Sequence, residues 1–239
     1  MRPTARPTAR PTEGTAPRRR ERSQPEERRA RSSAAVEVVL ASAAIVLDVG
    51  LPSLFLLVLA GLSLLLRRRG PASLGLHRAR PGRLVLATAT FAVGWSLFQL
   101  AVTIPAATHL SGRRQDMGVF ADVQGNLGLL VALLALSWAL GAFVEEVAFR
   151  GYLLTRLREA LGPGPASVAL AVAVSSVLFG VLHSEQGAVG TVAVALDGVA
   201  FSLLRLRFGT VWAPVLAHGF NNTLGLLTFF LIGPVYGFW

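Results

Sequence analysis

The stretch LGLLVALLALSWALGAFVEEVAFR, residues 127–150, decides the fold. It opens with eighteen residues free of charge and closes on two carboxylates and an arginine. About 18 to 20 apolar residues are what a helix needs to cross the hydrocarbon of a bilayer. Here the charged residues that follow are themselves flanked by apolar ones as far as Leu154. A membrane helix that carries ionisable groups is therefore the first reading.

Four further apolar segments repeat the signal: Leu84 to Ile104, Ala166 to His183, Ala188 to Leu204 and Val211 to Ile232. The whole chain has 239 residues, of which 53% are hydrophobic and 15% charged, against about a quarter charged in an ordinary soluble domain. The expectation is an all-α, polytopic transmembrane helix bundle of six to seven spans with a disordered basic N-terminal tail. The tail is placed at residues 1–33, where large apolar side chains are nearly absent, and the transmembrane domain at 34–239, with its motif-bearing core at 127–232.

The uncertain count comes from Ala34 to Leu66. This stretch has room for one long helix or for a hairpin broken at Gly50, Leu51 and Pro52, since proline disrupts a helix interior. Arginines mark the loops that face the cytoplasm under the positive-inside rule: Arg67, Arg68, Arg69, Arg78, Arg80 and Arg83 in one, Arg156 and Arg158 in a second, Arg205 and Arg207 in a third. With the tail inside, the hairpin gives seven crossings; with the tail outside, a single helix gives six.

Cysteine is absent, which removes disulfides, thiolate zinc sites and a cysteine nucleophile together. All 23 basic residues are arginine, and the net charge is +10. In a soluble protein that excess would suggest nucleic acid. Clustered outside the apolar runs, it points instead to anionic lipid at the Arg-rich loops, and no nucleic-acid partner is expected. The expected location is a bacterial plasma membrane.

A charge at mid-bilayer costs about 2.5 to 3.5 kcal/mol on insertion scales, so intramembrane ionisable residues are functional candidates by default. Glu146 and Arg150 are four apart, share a helix face and can form an ion pair. Glu145 points about 100° away and is left for another partner. His183 closes the sequence Phe179-Gly-Val-Leu-His183, where it can equally be an interfacial or capping residue. His218 and Asn222 share a face of the last span. They can grip one water, one metal ion or one developing oxyanion, or tie two helices together. Asp197, an acid within the fourth segment, can orient a site histidine or pair with a neighbouring helix.

Glu-Glu-x-x-x-Arg, Phe-x-x-x-His and His-x-x-x-Asn, in this order on successive apolar segments, resemble the motif set of the CPBP family, also called Abi: type II CAAX prenyl endopeptidases and bacteriocin-processing or immunity-associated membrane proteins. The resemblance implies an intramembrane peptidase acting on a membrane-associated protein or peptide. By matching motif positions, Glu145 and His183 would activate the attacking water, Glu146 and Arg150 would support the site, and His218 with Asn222 would stabilise the oxyanion. It also implies either no cofactor or a divalent metal such as zinc, held by Glu145, His183 and His218. The alternative function is a catalytically silent membrane scaffold or bacteriocin-immunity protein; a transporter would show an inverted repeat, and none is visible.

One geometric demand follows. His183 lies about 25 Å along its helix from Ala166, whereas Glu145 is only about 15 Å from Arg156. The two can meet only if the His183 helix is tilted, begins in the headgroups or breaks at Gly180.

Overall fold

The computed structural model describes residues 24–78 and 81–238. Among these residues the regular structure is helical, with no strand. We number the main helices α1 (Gln24–Val46), α2 (Pro52–Leu66), α3 (Pro81–Ser111), α4 (Leu127–Leu161), α5 (Pro165–Leu182), α6 (Gly187–Phe208) and α7 (Trp212–Ile232).

Five helical stretches, namely α3, α4, α5, α6 with the turn that leads into it, and α7, are long and apolar enough to cross a membrane. Their outward faces carry side chains such as Leu86, Val93, Val131, Leu170, Leu203 and Leu231, each exposed over 49% or more of its surface. So much leucine and valine facing outward is stable in lipid and not in water, and the protein is an integral membrane protein.

The stretch before α3 is a hairpin. Asp48 and Gly50 adopt left-handed backbone angles (φ 49° and 63°), and Pro52 then starts α2. The turn falls at the Gly50-Leu51-Pro52 break expected from sequence. With 15 residues, α2 is about 22 Å long, shorter than the hydrocarbon thickness of about 30 Å.

Helix α1 begins ten residues earlier than the expected end of the tail. Residues 1–23 lie outside the described residues, but 24–33 form the first turns of α1. Pro25 can occupy the first turn, where its missing N–H costs nothing, and Glu26 and Glu27 complement the positive end of the helix dipole. The polar composition that suggested a tail suits the solvated start of a helix equally well. Arg31 then lies across the turn between α4 and α5, with its guanidinium 3.3 Å from the point where a Cβ on Gly162 would sit.

Ion pairs secure the hairpin at the arginine-rich end. Arg67 reaches Glu37 of α1 at 2.6 Å and Glu159 of α4 at 3.2 Å. Arg156 of α4, wholly buried, contacts Glu37 at 3.3 Å and pairs with Glu159 as well. Two carboxylates are thus shared by two guanidinium groups from separate helices, so each charge removed from water has a counter-charge. Beside this cluster the Pro71–Leu74 turn inserts Leu74, 1% exposed, under the inner turns of α4.

Helices α5 and α6 pack closely along glycines. A Cβ on Gly180 would fall 2.6 Å from the Thr191 carbonyl oxygen, and one on Gly198 would fall 2.8 Å from Ser176 Cα. Small residues that admit such backbone approach are the usual means of helix association where no hydrophobic drive exists between helices. Gly180→Val should therefore push α5 from α6 and lower the unfolding temperature in detergent by several degrees. An unchanged unfolding temperature would show that the helices part without cost.

The depth demand is met without a break at Gly180, through which α5 remains helical to Leu182. Instead α4 continues past Arg156 to Leu161, and the turn at Gly162 to Gly164 lies deeper than the arginines suggested. From that turn Glu145 stands about 24 Å up α4 and His183 about 27 Å up α5. Antiparallel helices with equal arms bring the two residues level.

Candidate active site

Within α4 the backbone leaves the α-helical register. Ser137–Glu145 and Val147–Leu153 are π-helical, flanking Glu146. Wider i to i+5 turns of this kind are rare and gather at functional sites, because they re-aim side chains within a continuous helix. Here they present adjacent glutamates to two different helices.

Glu146 faces α7 and the bundle interior and is fully buried. Its Oε1 accepts from Arg150 Nη1 at 3.0 Å and from His218 Nδ1 at 3.0 Å. The ion pair expected from the four-residue spacing is present, with both side chains inaccessible. Arg150 is boxed by aromatic faces: its Cζ lies 4.0 Å from the Phe179 ring centroid, 5.6 Å from that of Phe201 and 5.8 Å from that of Phe149. Such cation–π contacts offset part of the cost of burying a guanidinium group.

Glu145 turns toward α5. Its Oε2 has no hydrogen-bond partner among the described residues and lies 3.9 Å from His183 Nε2. His183 ends α5, and its Nδ1 sits 2.9 Å from the Phe179 carbonyl oxygen. A carbonyl only accepts, so Nδ1 carries the hydrogen and Nε2 of the neutral ring presents a lone pair towards Glu145. The Glu145 and His183 side chains are 17% and 20% exposed, so the pair lies at the edge of the interior and not within a sealed core.

His218, on α7, stacks on Phe201 with 5.1 Å between centroids and 23° between planes. Its Nε2 and the Asn222 amide nitrogen converge on Gly141 of α4. The point where a Cβ on Gly141 would sit is 3.2 Å from Asn222 Nδ2 and 4.0 Å from His218 Nε2. Glycine at this position keeps open a small polar recess one turn before Glu145.

All six residues singled out by the motifs therefore gather around one segment of α4. Glu145 faces His183, Glu146 joins Arg150 and His218, and Asn222 stands beside His218 over Gly141. The Glu146–His218 contact, the aromatic box and the open position at Gly141 were not legible in the motifs. Phe201 and Gly141 sit in runs of similar apolar and small residues and carry no spacing signal. Asp197 accepts from Trp95 Nε1 at 2.5 Å and Gln99 Nε2 at 2.9 Å, so it joins α6 to α3 and holds neither histidine by a hydrogen bond. Asn221 likewise accepts from Ser96 at 2.7 Å and ties α7 to α3.

The expected metal set of Glu145, His183 and His218 does not fit an ion in this arrangement. Among the described residues no three His, Cys, Asp or Glu side chains gather closely enough to coordinate one. His218 commits Nδ1 to Glu146, and Glu145 meets only His183, so a tetrahedral centre with three protein ligands is not assembled. No chemical step below is routed through a metal.

Comparison with known proteins gives one match: residues 127–224 fit the family model described as type II CAAX prenyl endopeptidase Rce1-like. The matched region runs from the start of α4 to just beyond Asn222 and contains all six residues. No curated protein and no solved structure matched the chain.

Proposed function

With an Rce1-like domain at residues 127–224 as the premise, we propose that the protein is a CAAX-type intramembrane endopeptidase that cuts a peptide bond of a membrane-associated protein or peptide. Glu145 and His183 activate the attacking water. The observation that carries this reading is the unpartnered Glu145 Oε2 facing His183 Nε2 across 3.9 Å. Two acceptors at that separation can both take a hydrogen bond of about 2.8 Å from one water placed at the apex between them. A general base must lie within such reach of the proton it removes.

In this mechanism the water oxygen attacks the scissile carbonyl carbon while one of its protons passes to Glu145. The carbonyl becomes an oxyanion, and the recess at Gly141 is where Asn222 Nδ2 can donate to it. When the intermediate collapses, the carbon–nitrogen bond breaks and the proton held at Glu145 moves to the leaving amine. Glu146 and Arg150 fix the α4 segment and the His218 ring. With Nδ1 donating to Glu146, a neutral His218 has only an acceptor at Nε2. It then orients the Asn222 amide and does not itself donate to the oxyanion.

Cleavage of candidate membrane substrates by the purified protein in lipid tests the proposal. His183→Ala should lower turnover by about 10² or more while the unfolding temperature holds, since only the Phe179 carbonyl loses a partner. A folded variant that cleaves as the parent does would defeat the assignment. A parent protein that cleaves nothing would favour a silent scaffold or immunity protein instead.

Dialysis against a strong chelator separates the mechanisms. Turnover should be unchanged, because each role above belongs to a side chain or to water. A loss restored by added zinc would overturn the glutamate mechanism and leave the endopeptidase reading standing.

A further inference from the structure

Away from this site, α3 and α6 enclose an apolar groove of about 390 Å³, lined in part by Phe91, Trp95, Leu196, Ala200, Leu203 and Arg207. Its two ends differ in chemistry. At one end Trp95 is fixed: Nε1 donates to Asp197, whose carboxylate is also held by Gln99, and the ring stacks on Phe91 at 5.9 Å. At the other end stands Arg207, exposed and with no carboxylate within salt-bridge distance among the described residues.

The length is informative. From Leu196 to Arg207 the helix rises about 16 Å, close to half of the hydrocarbon thickness of about 30 Å. The groove therefore runs from a headgroup plane to the bilayer midplane, the depth of one leaflet. The same end of the bundle carries Arg67, Arg69, Arg156, Arg158 and Arg205, so the plane at Arg207 lies on the basic side. An amphiphile with one negative headgroup and a chain of leaflet length matches both the shape and the charge.

We propose that this groove is a binding site for an anionic phospholipid of that leaflet, with one acyl chain between α3 and α6 and the headgroup phosphate paired to Arg207. Because Arg207 is not spent on a protein carboxylate, its full charge is available to the lipid. Trp95 limits the depth to which the chain reaches. The site does not depend on the peptidase reading and would exist in a catalytically silent protein.

Native mass spectrometry of the full chain released from mixed micelles tests it, with phosphatidylglycerol and phosphatidylcholine of identical chains supplied at equal concentration. The parent should retain phosphatidylglycerol in preference. Arg207→Gln should cut that retention about fivefold, the effect of one arginine near an anionic surface. Leu203→Trp, at a position 55% exposed and therefore tolerant of a larger side chain, should fill the groove and reduce retention of both lipids. Arg113→Gln, at a surface arginine outside the groove, should change nothing. Equal retention of the two lipids by the parent overturns the proposal. So does unchanged phosphatidylglycerol retention in either groove variant.

Discussion

Glu145→Gln should abolish peptide hydrolysis, with a fall in kcat of about 10² to 10⁴, and leave the fold intact. The size of the fall follows from what the carboxylate does. Glutamine has the same shape but cannot take a proton from water, so only positioning and oxyanion contacts would remain to assist the reaction. The fold should survive because Glu145 Oε2 has no hydrogen-bond partner to lose. A neutral amide is also less costly than a carboxylate at a position only 17% exposed. The check is turnover measured beside thermal unfolding in the same detergent. Turnover within about threefold of the parent, in a protein that unfolds normally, would remove Glu145 from the mechanism.

The neighbouring glutamate should respond in the opposite way. Glu146→Ala should destabilise the protein by about 3 to 5 kcal/mol, the range found when one partner of a buried pair is removed. Arg150 would then be a wholly buried cation with no counter-ion, and His218 Nδ1 would lose its acceptor. Arg150 Nε and Nη2 already lack hydrogen-bond partners among the described residues, so nothing nearby stands ready to replace the carboxylate. The double change Glu146→Leu with Arg150→Met should recover much of the loss, because two apolar side chains bury without a desolvation penalty. Thermal unfolding of the three proteins decides the matter. If Glu146→Ala were no less stable than Glu145→Gln, the ion pair would not hold this part of the bundle.

The contrast between adjacent residues shows what was legible along the chain. The four-residue spacing of Glu146 and Arg150 announced their pairing, since helix geometry alone sets it. That Glu145 points elsewhere followed from the same geometry. Its destination did not, because α5 is a separate helix, and the distance between Glu145 and His183 depends on where the turn between them lies. Arg156 and Arg158 looked like the end of α4. Helix α4 in fact runs on to Leu161, because Arg156 is buried against Glu37 and Glu159 and does not sit in a headgroup layer. An arginine with carboxylate partners no longer marks a membrane boundary.

The start of α1 misled for a related reason. A run of Glu, Arg and Ser has too little apolar area to fold alone, which is why residues 24–33 read as tail. Joined to the apolar turns that follow, and with Arg31 laid over the α4–α5 turn, the same residues continue a helix that is nucleated elsewhere.

By itself the sequence determined that this protein is a helical membrane bundle, because apolar length and the absence of charge are properties of a segment and need no neighbours. It also determined which six side chains carry chemistry, since few others are both ionisable or amide-bearing and set within apolar helices. Tertiary structure alone decided how those six divide. It gave Glu146 to Arg150 and His218, left Glu145 opposite His183, and opened the recess at Gly141 beside Asn222. Contacts between helices depend on turn depth, on π-helical re-aiming and on which small residues admit a neighbour, and none of these has a period that can be read along one segment.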